Sequence, residues 1–163
     1  MLEEMKDLAR EKDSCVLATI VDNKPYCSLM AYVTNSACTE IYMVTHRKTQ
    51  KFKNLAANPA VSIMIDTRDT SPRTEAKALT VEGSYQKITD PAKEQAVRRK
   101  LLSAHPHLGA FMTHADAEVI QSESKSVLLL NGLTQASVQD LSDAITEAPS
   151  SISSPGGPSH PGV

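Results

Sequence analysis

Three β-rich runs near the start of the chain, separated only by short polar turns, constrain the fold more than any other feature. Residues 15–21 (CVLATIV) are β-branched and nearly all apolar, the composition of a strand buried on both faces. Asp22-Asn23-Lys24-Pro25 has the residue types of a turn. Residues 26–33 (YCSLMAYV) read as the next strand, so the two form a hairpin. After a second polar turn, 34–39, a third strand spans 40–45. Such a meander is the usual start of an antiparallel sheet or barrel. A short amphipathic helix over 2–12 precedes it, with Leu2, Met5, Leu8 and Ala9 on one face.

The period then changes. The stretch 41–65 (IYMVTHRKTQKFKNLAANPAVSIMI) reads as strand, basic hydroxyl-rich turn, helix, Asn-Pro stop and strand. In the helix, 49–57, Phe52, Leu55 and Ala56 share one side, and Thr49 or Thr45 can supply the N-cap oxygen. Asn58-Pro59 ends it, because proline disfavours helical geometry in the preceding residue. A fourth strand covers 60–66. The polar, proline-containing segment 67–75 reads as a mobile loop, and 76–88 as a long fifth strand with Gly83 at a bulge or bend.

Asp90-Pro91 opens a second long helix that runs to about Ala104. Residues 105–109 (HPHLG) break it. Segments 118–121 and 125–130 form a sixth strand, interrupted at Ser122-Glu123-Ser124. A weak helix is predicted over 135–147 through Val138, Leu141, Ala144 and Ile145. Residues 149–163 are rich in Pro, Ser and Gly, and they read as disordered or as an extended arm. Strands grouped in this way argue for a mainly β (α+β) fold, an antiparallel barrel-like sheet with peripheral helices. The expected division is a barrel domain over 1–133 and a C-terminal extension over 134–163.

Composition closes several other routes. A net charge of −2 argues against a nucleic-acid or polybasic membrane binder. No apolar run approaches the ~20 residues of a membrane span, and the acidic start is unlike a signal peptide, so a cytoplasmic protein is expected. Three cysteines without CxxC spacing indicate neither a disulfide framework nor a zinc site. With no Trp and 4% aromatics, the core must come from aliphatic residues and methionine. The glycines of Rossmann and P-loop motifs are missing.

Three sets of residues are candidate sites. Thr45-His46-Arg47-Lys48-Thr49-Gln50-Lys51 puts cations, hydroxyls and free N–H groups where a strand ends and a helix begins, a place that favours anions. Cations there oppose the helix itself, which makes more sense with an anion bound. On spacing alone, a solvated, ordinarily capped turn is an equally good reading. Ser28-Leu29-Met30 on the second strand is either sheet core or a lining for a flat ligand. His105, His107 and His114 lack metal-ligand spacing, and no nucleophile signature is present.

Four patterns carry a family resemblance: LATIVDNKPYCSLMAYV, the 41–65 stretch, ALTVEGSYQKITD and VLLLNGL. With the order of elements, they make residues 2–133 similar to the pyridoxamine 5'-phosphate oxidase-like, FMN-binding split-barrel family. The resemblance implies a six-stranded antiparallel split β-barrel that forms a homodimer, with FMN in a cleft between subunits. It implies that Thr49, Gln50 and Lys51 hold the phosphate, supported by Arg47 or Lys48 and with His46 alongside. Ser28, Leu29 and Met30 would run along the ribityl chain and ring, and Val44 and Thr45 would meet the isoalloxazine edge. Such a flavoprotein would be an oxidoreductase acting on a small molecule, with neither nucleic acid nor membrane as partner. The family's oxidases carry Arg where this chain has Ser28 or Cys27, Gln where it has Ala78, and a C-terminal Trp- and Arg-containing segment that is missing here. Pyridoxamine 5'-phosphate oxidase activity therefore does not follow from the resemblance. Related split barrels handle haem, which makes haem binding through His105, His107 or His114 an alternative. A deazaflavin in place of FMN, or a non-catalytic flavin-binding module, are others.

Overall fold

The computed structural model describes residues 1–142. Helix α1 (Glu3–Glu11) leads into strands β1 (Ser14–Val21) and β2 (Lys24–Ala31). The hairpin between them is tighter than the sequence suggests. Asp22 and Asn23 form a two-residue turn with φ of 48° and 58°, values that Asp and Asn tolerate better than most residues. Lys24 and Pro25 lie inside β2, and proline is acceptable there because β2 is an edge strand.

The meander is corrected at Tyr32. The second strand does not pair with the third along its length. It breaks into β2, which stays with β1, and the short β3 (Val33–Thr34), which pairs with β4 (Glu40–His46). Long-range contacts take Tyr32 out of the ladder. Its N–H donates to the Asp13 carbonyl, its hydroxyl donates to the Ala9 carbonyl at 2.7 Å, and its own carbonyl lies 2.8 Å from His105 Nε2.

After α2 (Gln50–Ala57) come β5 (Ala60–Asp66), β6 (Lys77–Gln86), α3 (Pro91–Ala104), a 3-10 turn (Pro106–Leu108), α4 (Gly109–Thr113), β7 (Ala117–Asn131) and β8 (Gln135–Asp140). The strand order β2-β1-β5-β6-β7-β4-β3 starts and ends on the two halves of one bent strand, so the sheet curls into a split β-barrel. The register of β6 against β7 shifts between Glu82 and Gly83, the bulge expected at this glycine. A Cβ there would lie 2.5 Å from the Glu123 carbonyl oxygen. The loop after β5 is tied down by turns, with Thr70 and Ser71 donating to the Thr67 carbonyl and Lys12 paired with Asp69 at 2.8 Å. Asp90 caps α3 through the Ala92 N–H.

Two expectations need correction. Residues 135–140 are a strand, not part of a helix. Gly132 (φ 66°) turns the chain back, and β8 satisfies the open edge of β7 from Ser126 to Asn131. The rest of that expected helix and the tail at 149–163 lie outside the described residues. Strand β1 is also not buried on both faces. Cys15, Leu17 and Thr19 point into the barrel, whereas Val16, Ala18 and Ile20 stay part-exposed because no element among the described residues covers that side.

The barrel interior is aliphatic, as the missing Trp requires. Leu17, Met43, Ile63, Ile65, Leu79 and Ile120 fill it, and Met5 and Leu8 of α1 pack against one side. Each is worth about 1.5–3 kcal/mol when buried. A second cluster forms on the outer face of β3, β4 and β7, where Val33, Tyr42 and Val44 meet Val97 and Leu101 of α3 and Met112 of α4. This second cluster fixes α4 beside the end of β4.

Candidate functional site

The turn from β4 into α2 is built by its two threonines. Thr49 is the N-cap, and its Oγ1 accepts from the Phe52 N–H at 3.4 Å while donating to the His46 carbonyl at 2.9 Å. With the Thr49 proton committed there, the 3.0 Å contact to Thr45 Oγ1 has Thr45 as donor. Both hydroxyl protons are thus used within the turn. Among the described residues nothing accepts from the Gln50 and Lys51 amides, and no acidic residue stands in the first turn of α2. The helix start keeps its positive end free.

Asn54 locks α2 onto the barrel. It is 1% exposed, donates to Thr19 Oγ1 at 3.1 Å, and accepts from Gln50 Nε2 at 2.8 Å. The Gln50 side chain is therefore engaged along its own helix, which leaves its main-chain N–H as the unpaired group at this position.

The cations around the turn divide sharply. Arg47 lies 3.6 Å from Asp116 and 3.2 Å from Glu118, and donates to the Ala115 carbonyl at 2.9 Å. Lys48 lies 3.3 Å from Asp116. Lys48 beside Asp116 holds that carboxyl below the usual carboxylate range, with His114 and Arg47 adding to the effect. Arg47 and Lys48 thus tie the start of β7 to the turn. Lys51 has no carboxylate partner among the described residues.

Lys51 and Thr49 border a cleft of about 270 Å³. It opens at the split of the barrel, where the bent strand leaves β4. Leu29, Met30 and Ala31 form one wall, and Val44 and Thr45 the floor. Leu108 and Phe111 form a wall that the sequence reading missed. Their one sequence signal, the i, i+3, i+4 spacing of Leu108, Phe111 and Met112, spans barely more than one turn.

Six of the residues singled out from the sequence therefore converge on one cleft: Leu29, Met30, Val44, Thr45, Thr49 and Lys51. Ser28 lies one step along β2, opposite Leu17, and is not in the lining. His46 is turned away. Its ring stacks on Phe111, with centroids 3.8 Å apart at 12°, and on His114 at 4.7 Å and 21°. The other histidines do not assemble. His105 is buried against the Tyr32 carbonyl, His107 packs edge-on to His105, and His114 Nδ1 accepts from the Asp116 N–H.

No helix among the described residues is long and apolar enough to cross a membrane. The fold is similar to that of a heme binding protein from Mycobacterium smegmatis, with a TM-score of 0.75 and 19% identity over 85% of this chain and 57% of that one. The chain thus spans little more than half of that protein. A FAD-binding protein from Mesorhizobium loti matches with a TM-score of 0.66 and 18% identity, over 79% of this chain and 93% of that one. HutZ, the heme storage protein from Vibrio cholerae, matches with a TM-score of 0.67 and 18% identity, over 80% of this chain and 93% of that one. No curated protein sequence matches the chain. The sequence model of the pyridoxamine 5'-phosphate oxidase family matches residues 1–130, and the chain belongs to that family.

Proposed function

We propose that the chain is an FMN-binding flavoprotein, an oxidoreductase acting on a small molecule, with the flavin held at the interface of a homodimer. The observation that carries this reading is Lys51. It is a cation without an acidic partner among the described residues, at an uncompensated helix start, on the rim of a cleft whose remaining lining is apolar apart from Thr45 and Thr49. That donor set fits a phosphate joined to a flat apolar group.

Bound there, the flavin supplies hydride or single-electron transfer at its ring. The protein's part is binding and orientation. The Lys51 ammonium and the Gln50 and Lys51 amides hold the phosphate. Thr45 and Thr49, with their protons committed internally, fix the shape of the turn. Leu29, Met30 and Val44 exclude water from the ring. In this reading Arg47, Lys48 and the Gln50 side chain hold the turn in place through their own partners.

Two features support the dimer. First, the cleft in one chain is slightly smaller than the ~300–1,000 Å³ of ordinary small-molecule sites and is open on one side, so a second copy would complete it. Second, the strand registers align Leu29, Val16, Met64, Thr80, Leu128 and Val138 in one row across the outer face of the sheet. Leu29 is 78% exposed and Val138 73%, which leaves a mostly apolar row uncovered among the described residues. Leu29 belongs to both the row and the cleft. A copy seated on the row therefore reaches the mouth of the site.

The haem alternative has less support. Two fold neighbours are named for haem, but His105 is committed to the Tyr32 carbonyl and His114 Nδ1 to a main-chain N–H. The test is the absorbance spectrum and mass of what co-purifies with the full chain. A flavin spectrum and the mass of FMN are expected. A colourless protein that stays so after incubation with FMN, or a Soret band, would overturn the reading.

A further inference from the structure

Holding a phosphate gives no role to the aromatic side chain in the cleft wall. Phe111 is 37% exposed and lines the cleft, whereas its neighbour Met112 is 8% exposed and anchors α4 in the second cluster. The Phe111 ring is fixed from behind. His46 stacks on it at 3.8 Å and 12°, and His46 Nε2 lies 3.1 Å from the Phe111 carbonyl oxygen, which fixes the main chain as well. His46 is in turn backed by His114, whose Nδ1 accepts from the Asp116 N–H. Asp116 is paired with Arg47 and Lys48 of the turn that carries Thr49 and Lys51. One linked unit therefore holds both the charged rim of the cleft and an aromatic ring beside it. A ring braced from behind and facing a cleft is pre-organised for stacking, since aromatic pairs prefer parallel or edge-on contact at defined distances.

We propose that Phe111 is a stacking platform for a planar conjugated ring bound in the cleft, and that His46 is the positioning residue that sets its angle. This rests on the flavin reading above. The ring is either that of the flavin itself or that of a second, planar reactant carried in the same cleft. The chemistry is shared, and the experiment separates the two sources.

FMN and ribose 5-phosphate are titrated into wild-type, Phe111→Ala and Phe111→Leu proteins. The FMN-loaded proteins are then titrated with menadione, a planar quinone. If the ring is the flavin's, Phe111→Ala weakens FMN roughly tenfold and leaves ribose 5-phosphate within about twofold. If the ring is a second reactant's, FMN is unchanged and menadione weakens instead. Phe111→Leu keeps the apolar bulk without the π face, and it carries the test if the alanine variant fails to fold. His46→Ala reproduces the Phe111 effect, and His46→Phe restores most of it by keeping the stack. Normal FMN binding by wild type with neither ring affected in the Phe111 variants overturns the proposal and leaves the flavin reading standing. So does an equal loss of ribose 5-phosphate, which indicates a merely structural role. A wild-type protein that binds no FMN overturns the flavin reading, and this proposal with it.

Discussion

Asn54→Ala is expected to loosen the element that presents Lys51. Asn54 and Thr19 are 1% and 2% exposed, and their side chains join α2 to β1 at 3.1 Å. The substitution removes two hydrogen bonds, each worth about 0.5–1.5 kcal/mol net, and strips the buried Thr19 hydroxyl of its donor, which costs about 1–3 kcal/mol. These contributions overlap, so a loss of about 3 kcal/mol is expected. For a chain of this size that is a fall in Tm of about 6–12 °C. Urea unfolding followed by circular dichroism measures it. The sharper form is a double-mutant cycle. Thr19→Val alone should cost about 1–2 kcal/mol, because it orphans the Asn54 amide. In the Asn54→Ala background it should be neutral or stabilising, since the hydroxyl it removes no longer has a partner. The coupling should be at least ~1 kcal/mol. If the two substitutions are additive within ~0.5 kcal/mol, the contact does not anchor α2 and the reasoning fails.

Gly83→Ala should destabilise by ~2 kcal/mol or more in thermal unfolding, since its Cβ would meet the Glu123 carbonyl oxygen at 2.5 Å and Ser122 Oγ at 2.7 Å. A variant as stable as wild type would refute the close approach at the bulge. Met64→Arg places a charge in the apolar row across the outer face; sedimentation equilibrium should show a dimer in wild type and a monomer in the variant, with weakened FMN binding. An unchanged mass would move the interface elsewhere. Asp116, whose carboxyl is lowered chiefly by Lys48, contributes stability that is present above its unfolded value near ~3.9 and lost as pH falls through the lower folded value. The stability gap between wild type and Asp116→Asn, present at neutral pH, should therefore start to narrow below about pH 4 and close once pH is below the folded value; a gap that does not narrow in acid would rule out this ion pair as its source.

Features governed by neighbouring residues were legible in the sequence. The Asp90-Pro91 helix start, the Asn58-Pro59 stop and the Gly83 bulge each follow from the conformational limits of one or two residues. Features set by distant partners were not. The break at Tyr32 depends on Ala9, Asp13 and His105, and nothing in YCSLMAYV announces it. The strand at 135–140 depends on an open edge of β7, while the helical pattern drew on residues beyond 140. The site divides in the same way. A basic, hydroxyl-rich turn ahead of a helix is readable as a possible anion site. Which of its cations lacks an acidic partner among the described residues is not, because Arg47 and Lys48 are claimed by Asp116 and Glu118 far along the chain. The Phe111 wall was hidden for a third reason: α4 is one short turn after a His-Pro break, too brief for its periodicity to stand out.

The central claim is that Lys51 at the start of α2 holds the phosphate of a bound flavin. An equilibrium titration of FMN and riboflavin into wild-type and Lys51→Ala protein, read by flavin fluorescence, tests it most directly. The account predicts that wild type prefers FMN over riboflavin, and that Lys51→Ala weakens FMN by about tenfold or more while riboflavin changes little. Equal FMN affinity in the two proteins would contradict it.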